Sequence, residues 1–302
     1  MKISIIGGHG FIGRAIAQKL VKDHELHIIA RRSENRSEIP NIKYHYHSYE
    51  SEKLLPVYDS SGLIINAAGN STPLTFAQEP SKEVHYNLMH LAQFIELLHK
   101  IDTPLVYIST GGAIYQPSSS AIAENHPLGH WSYYGAAKQS AETFLSSFSQ
   151  QTGKAVTILR PSNIYGEGQP LKPNFGVIPT LFDAAINQRK FHIIGSGQSS
   201  RDYLHIEDFT AAIEGIISCK TFQSSNTFNL GSGAGTSLIR LIELVETISQ
   251  QKIERVKSKH NIEDNHIILN SNKLQNKTHW RPTIDLTEGL NRVWREFNAT
   301  TF

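Results

Sequence analysis

Residues 2–20 contain the sequence feature that most constrains the fold. Residues 2–6 are a short apolar run, which predicts one buried strand of a parallel sheet. Glycines follow at once within residues 7–13, and apolar residues then recur at helical spacing as far as Leu20. A strand, a glycine turn and a helix in this order form the context in which a parallel sheet binds a dinucleotide.

Three glycines give this turn its predicted role. Gly7 permits the tight turn, Gly10 lets the backbone approach a pyrophosphate, and Gly13 lets the helix pack on the strand. The amino end of the helix, at Phe11 and Ile12, then faces the phosphates. The spacing is G-x-x-G-x-x-G rather than G-x-G-x-x-G, so the prediction depends on the flanking strand and helix as much as on the glycines.

The second predicted strand, residues 26–30, indicates which dinucleotide is bound. Proteins that bind NAD usually present an acid after this strand to the ribose hydroxyls of the adenosine. This chain has Ala30, Arg31 and Arg32 there instead, and guanidinium groups match a 2′-phosphate in charge and geometry. NADP is therefore predicted in preference to NAD. The alternative is a basic loop that contacts only solvent.

Further apolar runs continue the alternation of strands and helices. An amphipathic helix is predicted at residues 84–100. Ala67 and Ala68 are small enough for a cofactor to lie against the backbone beside them. The fold class is α/β, a doubly wound parallel sheet of the Rossmann type. Its remaining strands are predicted at about residues 42–47, 62–66, 105–108, 156–159 and 227–230.

Tyr134 and Lys138 lie in a segment rich in Ala, Lys, Gln and Glu, which favour helix. Being four residues apart, they share one helix face. A phenol titrates near pH ~10, and a neighbouring ammonium lowers that pKa into a range useful for proton transfer. The pair is therefore a candidate acid/base centre, with an ordinary amphipathic helix as the alternative.

Position along the chain favours this pair over Tyr49 and Lys53, which have the same spacing. The hydroxyl residues Ser109 and Thr110 follow the strand at 105–108, and side chains at the carboxyl end of such a strand point towards the ligand crevice. The Tyr134 helix comes directly afterwards and can reach the same crevice. Tyr49 comes too early in the chain.

Composition narrows the classes of protein further. The chain has 302 residues and a net charge of +2, which gives no reason to expect nucleic acid or a membrane as partner. Its single cysteine, Cys219, excludes an intramolecular disulfide and fits a reducing cytoplasm. The amino-terminal apolar run is too short for a signal segment. The histidines form no set at metal-ligand spacing, so no metal site is predicted.

The order of these motifs resembles the extended short-chain dehydrogenase/reductases, and within them the nucleotide-sugar epimerase/dehydratase branch. The resemblance covers essentially the whole chain. The motifs that carry it are the glycine loop, Asn66-Ala67-Ala68-Gly69, Ser109-Thr110-Gly111-Gly112, Tyr134-x-x-x-Lys138, Arg160-Pro161-Ser162-Asn163-Ile164-Tyr165-Gly166, the segments 195–197, 201–208 and 229–233, and Trp280-Arg281-Pro282 with Glu288-Gly289-Leu290.

The resemblance implies roles for particular residues. Tyr134 would exchange a proton with a sugar hydroxyl, and Lys138 would lower its pKa and hold the nicotinamide ribose. The family's hydroxyl residue falls at Gly111, which has none, so Thr110 or, less favoured, Ser109 would take its place. Asn270 also stands where an aspartate is common.

The resemblance also implies ligand contacts and an assembly. Pro161 would contact the cofactor, and Asn163, Arg201 and the segment 177–181 would contact a nucleotide sugar. A surface ion pair between Arg201 and Asp202 is the alternative for that arginine. The helix at 84–100 and the Tyr134 helix resemble the paired helices through which this family often forms homodimers, but they could equally be buried within one subunit.

Two domains and four functions are consistent with this resemblance. Residues 1–163 and about 203–230 would form the dinucleotide-binding domain, and about 164–202 and 231–302 a smaller α+β substrate domain. The favoured function is an NAD(P)-dependent nucleotide-sugar epimerase, most simply a UDP-sugar 4-epimerase. The alternatives are an NADPH-dependent 4-keto-sugar reductase, a dehydratase and a non-catalytic NADP-sensing protein.

Overall fold

A computed structural model of the chain describes residues 1–31, 38–69, 71–129, 131–170, 175–257 and 264–301. Its strands are β1 Lys2–Ile6, β2 Glu25–Ala30, β3 Ile42–Tyr46, β4 Leu63–Asn66, β5 Leu105–Ile108, β6 Val156–Pro161, β7 Asn163–Tyr165, β8 Phe191–Ile193, β9 Ser200–His205, β10 Asn226–Leu230, β11 Gly235–Ser237, β12 Arg255–Lys257 and β13 His266–Ile267. Its α-helices are α1 Phe11–Leu20, α2 Leu55–Asp59, α3 Pro80–Glu83, α4 His90–Leu98, α5 Tyr133–Thr152, α6 Val177–Ile186, α7 Ile206–Ser218, α8 Leu238–Ser249, α9 Asn272–Thr278 and α10 Leu286–Thr301.

Seven strands form one parallel sheet in the order β10-β6-β5-β4-β1-β2-β3. The strands predicted from apolar runs are all confirmed, with ends that shift by one or two residues. The chain winds outward from β1 first to β3 and then, in the other direction, from β4 to β10. Because the order reverses between β1 and β4, the ligand crevice of a Rossmann-type fold opens there.

Helices cover both faces of this sheet, which is why its strands are apolar on both sides. On one face, Ile3 and Ile5 of β1 pack in a core with residues of α1 and α7. On the other face, Ile6 of β1 packs in a second core with residues of α4 and α5.

A smaller part of the molecule lies beyond the carboxyl ends of the large sheet. Strand β9 pairs with β11, β13 and β7, and β8 pairs with β12. Helices α6, α8 and α10 contribute to a third core that includes Phe182, Val245 and Leu290. The fold is therefore a Rossmann-type α/β sheet with a smaller α+β part. The domain boundaries given above remain a prediction.

The helix predicted at residues 84–100 differs from expectation. The helical segment begins earlier, at Pro80, and its middle part Val84–Met89 is a π-helix that ends where α4 begins. Leu91, Ile95 and Leu98 are buried in the core of the same subunit. In the described part of the chain, no helix has both the length and the apolar character needed to cross a membrane.

Candidate active site

Helix α5 carries Tyr134 and Lys138 on the face that meets the end of β5. The Ser132 side chain caps the helix by accepting a hydrogen bond from the Gly135 amide at 3.0 Å. Gly135 also sets the approach of the loop after β5, because a Cβ there would lie 2.4 Å from the Ala113 carbonyl oxygen. The first turn of α5 is thereby packed directly against the loop that carries Thr110.

Lys138 is held by groups of β5. Its ammonium donates hydrogen bonds to the Tyr107 hydroxyl at 3.2 Å and to the Ile108 carbonyl oxygen at 3.0 Å. It also lies 4.8 Å from the centre of the Tyr107 ring, a cation–π distance. These contacts fix the ammonium beside the end of β5, where its charge acts on Tyr134.

The structure separates the two hydroxyl residues after β5. The Thr110 and Tyr134 hydroxyls share a hydrogen bond. Ser109 is buried and donates instead to the Glu142 carboxylate at 2.5 Å. A side chain at Gly111 would be crowded, because a Cβ there would lie 2.5 Å from Leu269 Cδ1 and 3.0 Å from the Arg160 carbonyl oxygen. Gly111 thus lies in close contact with β6 and with Leu269.

A buried polar network lies behind Ser109. Arg160 forms an ion pair with Glu142, with Nη2 and Oε2 2.5 Å apart, and its Nε also donates to both carboxylate oxygens. The other guanidinium nitrogen, Nη1, donates to the Tyr115 hydroxyl at 2.7 Å, and that hydroxyl donates to the Asn229 Oδ1 at 2.7 Å. The network ties α5, β6 and β10 to the loop that carries Thr110.

Two opposing effects act on the Tyr134 phenol. Burial raises the pKa of Tyr134 above its ordinary value, while the positive charge of Lys138 and the hydrogen bond to Thr110 lower that pKa. Burial is the larger effect, so the phenol is protonated at neutral pH in the protein alone. Lys138 therefore lowers the pKa of Tyr134, as predicted, but by less than burial raises it.

A cavity of about 460 Å³ opens at the ends of β1, β2 and β4. Gly7 has φ +80° and a Cβ there would lie 2.9 Å from the Ala68 amide nitrogen, so only glycine fits. At Gly13 a Cβ would lie 2.3 Å from the Gly7 carbonyl oxygen. The loop is thus a cradle of bare backbone beside Ala67 and Ala68.

This cradle lies at the amino end of α1, and Phe11 and Ile12 form the first turn of that helix. The cradle fits a pyrophosphate.

The far end of this cavity is lined by Ala30, Arg31, His47 and Ser48. Arg31 is exposed, and its charge acts on Tyr49, which lines the same cavity. Arg31 thus lines the cavity, and its contact with a cofactor stays a prediction. Arg32 lies outside the described residues. His47 follows β3 and was not predicted as a site residue, because an isolated histidine after a strand carries no signal of its own.

A second cavity, of about 260 Å³, is lined by residues that include Thr110, Tyr134 and Asn163. The Asn163 side-chain amide donates to the Asp202 carbonyl oxygen at 2.9 Å. Ser162 also lines the cavity, and its buried hydroxyl has no hydrogen-bond partner among the described residues. Part of the predicted segment 177–181 lines it too, through Val177 and Ile178.

Two predicted contact residues lie outside the lining described for both cavities. The Pro161 carbonyl oxygen accepts a hydrogen bond from the Gly111 amide at 2.6 Å, so it positions the loop after β5. The Arg201 guanidinium donates to the Ser200 and Asn265 carbonyl oxygens at 2.9 and 3.0 Å. Arg201 shares a strand face with Tyr203, which lines the second cavity.

The alternative of a surface ion pair for Arg201 is wrong. Asp202 is fully buried and accepts hydrogen bonds from the amides of Ser232, Gly233 and Leu269 at 2.9, 3.2 and 3.1 Å. Its carboxylate therefore serves the loops around β9 and points away from Arg201, as alternation along a strand requires.

Sequence reasoning missed Tyr107 and Glu142, which support the reactive pair. Glu142 stands four residues after Lys138, so helix periodicity could have indicated it. Tyr107 reads as one more apolar residue of β5, and only the assembled sheet shows its hydroxyl below Lys138. In the described residues there is no group of three or more His, Cys, Asp or Glu side chains that could hold a metal ion.

The Rossmann-type fold and the glycine cradle at the ends of β1, β2 and β4 are those of a dinucleotide-binding α/β protein. The sequence pattern of the NAD-dependent epimerase/dehydratase family matches residues 3–231. The chain therefore belongs to that family, whose members act on nucleotide sugars, and the predicted resemblance is confirmed.

Relatives and solved structures match along the whole chain. A putative UDP-glucose 4-epimerase of Methanocaldococcus jannaschii is 27% identical, and the alignment covers 99% of this chain and 100% of that protein. A dTDP-4-dehydro-6-deoxyglucose reductase of Escherichia coli is also 27% identical, with 96% of each chain covered. The solved UDP-glucose 4-epimerase of Thermotoga maritima, in complex with UDP-glucose, superposes with a TM-score of 0.89 at 26% identity over 100% of both chains.

Proposed function

We propose that this protein is a nucleotide-sugar 4-epimerase that acts on a UDP-sugar and uses NADP in preference to NAD. The observation that supports the proposal is that Tyr134 and Thr110 line the second cavity together, while the positive charge of Lys138 lowers the pKa of Tyr134. The full-length similarity to proteins named UDP-glucose 4-epimerase supports the choice of reaction and of nucleotide.

The residues present fit a nicotinamide dinucleotide. Gly7, Gly10 and Gly13, with the backbone of Phe11 and Ile12, would hold the pyrophosphate. Arg31 would hold the 2′-phosphate of the adenosine, and Lys138 the nicotinamide ribose. Ala67 and Ala68 would lie along the cofactor, and Pro161 would act indirectly by fixing the loop after β5. When bound, the nicotinamide ring accepts and returns a hydride.

Tyr134 is the proposed acid/base group. Its phenolate would take the proton from the C4 hydroxyl of the sugar and later return a proton to the same oxygen. Lys138 would stabilise the phenolate by its charge. Thr110 would donate a hydrogen bond to the reacting oxygen and keep it beside Tyr134. Epimerisation requires that the keto sugar turn over within the cavity before it is reduced on its other face.

The substrate would occupy the second cavity. Asn163 and the beginning of α6 would contact the nucleotide sugar there. Arg201 would bind the diphosphate, because a guanidinium recognises phosphate oxygens in pairs. Burial lowers the pKa of Arg201, and an anionic ligand would offset that effect.

A net 4-keto-sugar reductase is the second candidate, and Arg31 favours it. Reductases that exchange their cofactor often use NADPH, and a relative of equal similarity bears the name of a dTDP-4-dehydro-6-deoxyglucose reductase. We rank it second because a few residues set cofactor preference, which can therefore change without a change in chemistry. A dehydratase and a non-catalytic sensor rank lower, since a sensor would not need the proton-transfer pair.

The deciding experiment incubates the purified protein with a panel of UDP-sugars, without added cofactor, and separates the products by chromatography. Interconversion of two C4 epimers at constant NADPH absorbance supports the epimerase. Conversion of a 4-keto substrate with loss of one NADPH for each product identifies the reductase. Tyr134→Phe serves as the inactive control in both assays.

A homodimer is also proposed, with α5 at its centre. The apolar stripe of α4 is buried in its own subunit, but Phe144 on α5 is 49% exposed and lines a surface cavity with Ile95, His99 and Phe148. An exposed aromatic residue in such a cavity fits a helix-to-helix contact between two copies. A monomer by light scattering at micromolar concentration would reject the dimer.

A further inference from the structure

Glu83 is a buried carboxylate that the proposed chemistry does not use. It ends α3, and only 2% of its surface is exposed. Its Oε1 accepts hydrogen bonds from the Ser71 hydroxyl and the Asn87 side-chain amide, each at 2.7 Å. Its Oε2 is buried and accepts no hydrogen bond from the residues that the structure describes. A buried carboxylate oxygen without a partner is costly, so a role in the site is the natural explanation.

Glu83 and Lys138 line one small cavity. This cavity, of about 20 Å³, lies between the π-helical segment, β5 and α5, and Tyr107 lines it as well. That volume holds one water molecule, provided that the walls offer it polar partners. Glu83, Tyr107 and Lys138 are the lining residues whose side chains would serve as these partners.

Lys138 has the capacity for this contact. An ammonium has three N–H donors, and those of Lys138 reach the Tyr107 hydroxyl and the Ile108 carbonyl oxygen. A third N–H therefore remains, which the nicotinamide ribose and a group in the cavity would share. The neutral donors Ser71 and Asn87 bind Glu83 without neutralising its charge. Charge complementarity across the cavity thus pairs the carboxylate with the ammonium.

Other titratable groups also face this cavity. Besides Glu83 and Lys138 these are three tyrosines: Tyr49 from the loop after β3, Tyr86 from the π-helical segment and Tyr107 from β5. Tyr134 senses the same charges, since Glu83 raises its pKa while Lys138 lowers it. Lys138 is thus the only cation among the described groups that face Glu83 in the cavity.

We propose that Glu83 is a positioning residue that holds the Lys138 ammonium through one bridging water and so sets how strongly Lys138 acts on Tyr134. The inference rests on the proposed function in that it assigns Tyr134 and Lys138 their catalytic roles. The π-helix that follows Glu83 contributes to this arrangement, because Asn87, four residues on, reaches back to fix the carboxylate.

The test replaces Glu83 by Gln in the holoenzyme loaded with NADP⁺. Glutamine keeps an oxygen for Ser71 and Asn87 but removes the negative charge. The Tyr134 titration is isolated by subtracting the phenolate absorbance of the same protein carrying Tyr134→Phe. Loss of a nearby negative charge favours the phenolate, so the pKa of Tyr134 should fall by about one pH unit. Glu79→Gln, which removes an exposed charge from the same segment, should shift it by less than about 0.2 units.

The outcomes separate this inference from the proposed reaction. The titration needs no turnover, so it can support the inference even if no sugar is epimerised. A shift that is confined to Glu83→Gln and is lost when Lys138→Met is also present supports the inference, because the Glu83 charge then acts through Lys138. A shift that persists without Lys138 is the direct effect of the Glu83 charge and overturns it. An unchanged pKa in Glu83→Gln overturns the inference and leaves the epimerase intact. If Glu83→Gln does not fold, a high-resolution crystal structure of the wild-type holoenzyme decides instead. A water within hydrogen-bond distance of both Glu83 Oε2 and Lys138 Nζ supports the bridge, and any other contact of Oε2 refutes it.

Discussion

Glu142 and Glu83 are buried carboxylates whose charges both act on Tyr107, and their surroundings differ. Every contact of Glu142 is a strong one, since Arg160 approaches it with Nε and Nη2 and Ser109 donates to Oε1. Among the described residues Glu83 has only neutral donors, Ser71 and Asn87, and its second carboxylate oxygen is buried without a partner. Glu83 also lines a small cavity together with Lys138.

The difference indicates which carboxylate builds the site and which one adjusts it. A buried network in which every group is paired rigidifies its surroundings, and Glu142 thereby fixes the position of the loop with Thr110. A buried charge that lacks an ionic partner is not compensated locally, so it acts on the ionisable groups around it. The side of β5 that faces Arg160 should therefore govern stability, and the side that faces the cavities should govern activity.

The largest effect should come from Arg160→Met. It leaves the Glu142 carboxylate buried and without its ion pair, which should cost about 3–5 kcal/mol of unfolding free energy. Urea unfolding measures this loss. Lys19→Met is the control, because the Lys19–Glu214 pair is exposed at 40% and 43% and should contribute less than about 1 kcal/mol. Equal losses of unfolding free energy in Arg160→Met and Lys19→Met would show that the buried network stabilises the fold no more than a surface ion pair.

Tyr134→Phe should show the opposite pattern. Loss of the acid/base group should lower kcat about 10²-fold or more, while the unfolding free energy and the binding of cofactor stay near those of the wild type. Epimer interconversion and urea unfolding are measured on the same preparation. Turnover close to that of the wild type would refute the assigned mechanism.

Ser109 and Thr110 are adjacent in sequence and should differ in the same way. Ser109→Ala removes a donor to buried Glu142 and should cost about 1–3 kcal/mol of stability, with the pKa of Tyr134 unaltered. Thr110→Val keeps the volume of the side chain but removes the hydrogen bond to Tyr134, and should lower kcat about tenfold with little loss of stability. If the two variants exchange these effects, the hydroxyl role belongs to Ser109.

The smallest effect is expected at the far end of the cofactor cavity. Arg31→Ala should reduce the preference for NADP over NAD by on the order of 10-fold, because it removes a charge-assisted contact to the 2′-phosphate. Fluorescence titration of both cofactors measures it. Lys22→Ala, an exposed residue at the other end of α1, is the control. If the ratio of NADP to NAD affinity is unaltered in Arg31→Ala, this arginine does not contact the 2′-phosphate.

The elements that follow from local pattern could be predicted from the sequence. The apolar runs gave the seven strands of the large sheet, and the glycine spacing gave a turn in which Gly13 meets the Gly7 carbonyl oxygen. The four-residue spacing of Tyr134 and Lys138 predicted that they share a helix face, and on α5 the charge of Lys138 does act on Tyr134. These features depend on residues that are close in sequence.

Features that depend on distant residues could not be predicted in this way. Leu269 fills the space beside Gly111 from more than 150 residues away, a contact that no local pattern indicates. The π-helix at Val84–Met89 interrupts an apolar repeat that looks regular in the sequence. The burial of Glu83 depends on the approach of β5 and α5, so in the sequence it reads as a solvated charge.

Asn229 makes one loop of the site depend on a residue that is synthesised much later than the loop itself. It lies on β10, and its side chain accepts a hydrogen bond from Tyr115 and donates one to the Ile122 carbonyl oxygen. The loop that starts at Thr110 therefore gains these partners only after more than 100 further residues have been made. Until then a nascent chain presents the strands up to β6 with the edge that β10 will cover still open. Ribosomes that stall before residue 226 should carry a sheet prone to pairing with other chains, which makes this interval the one in which a chaperone matters most.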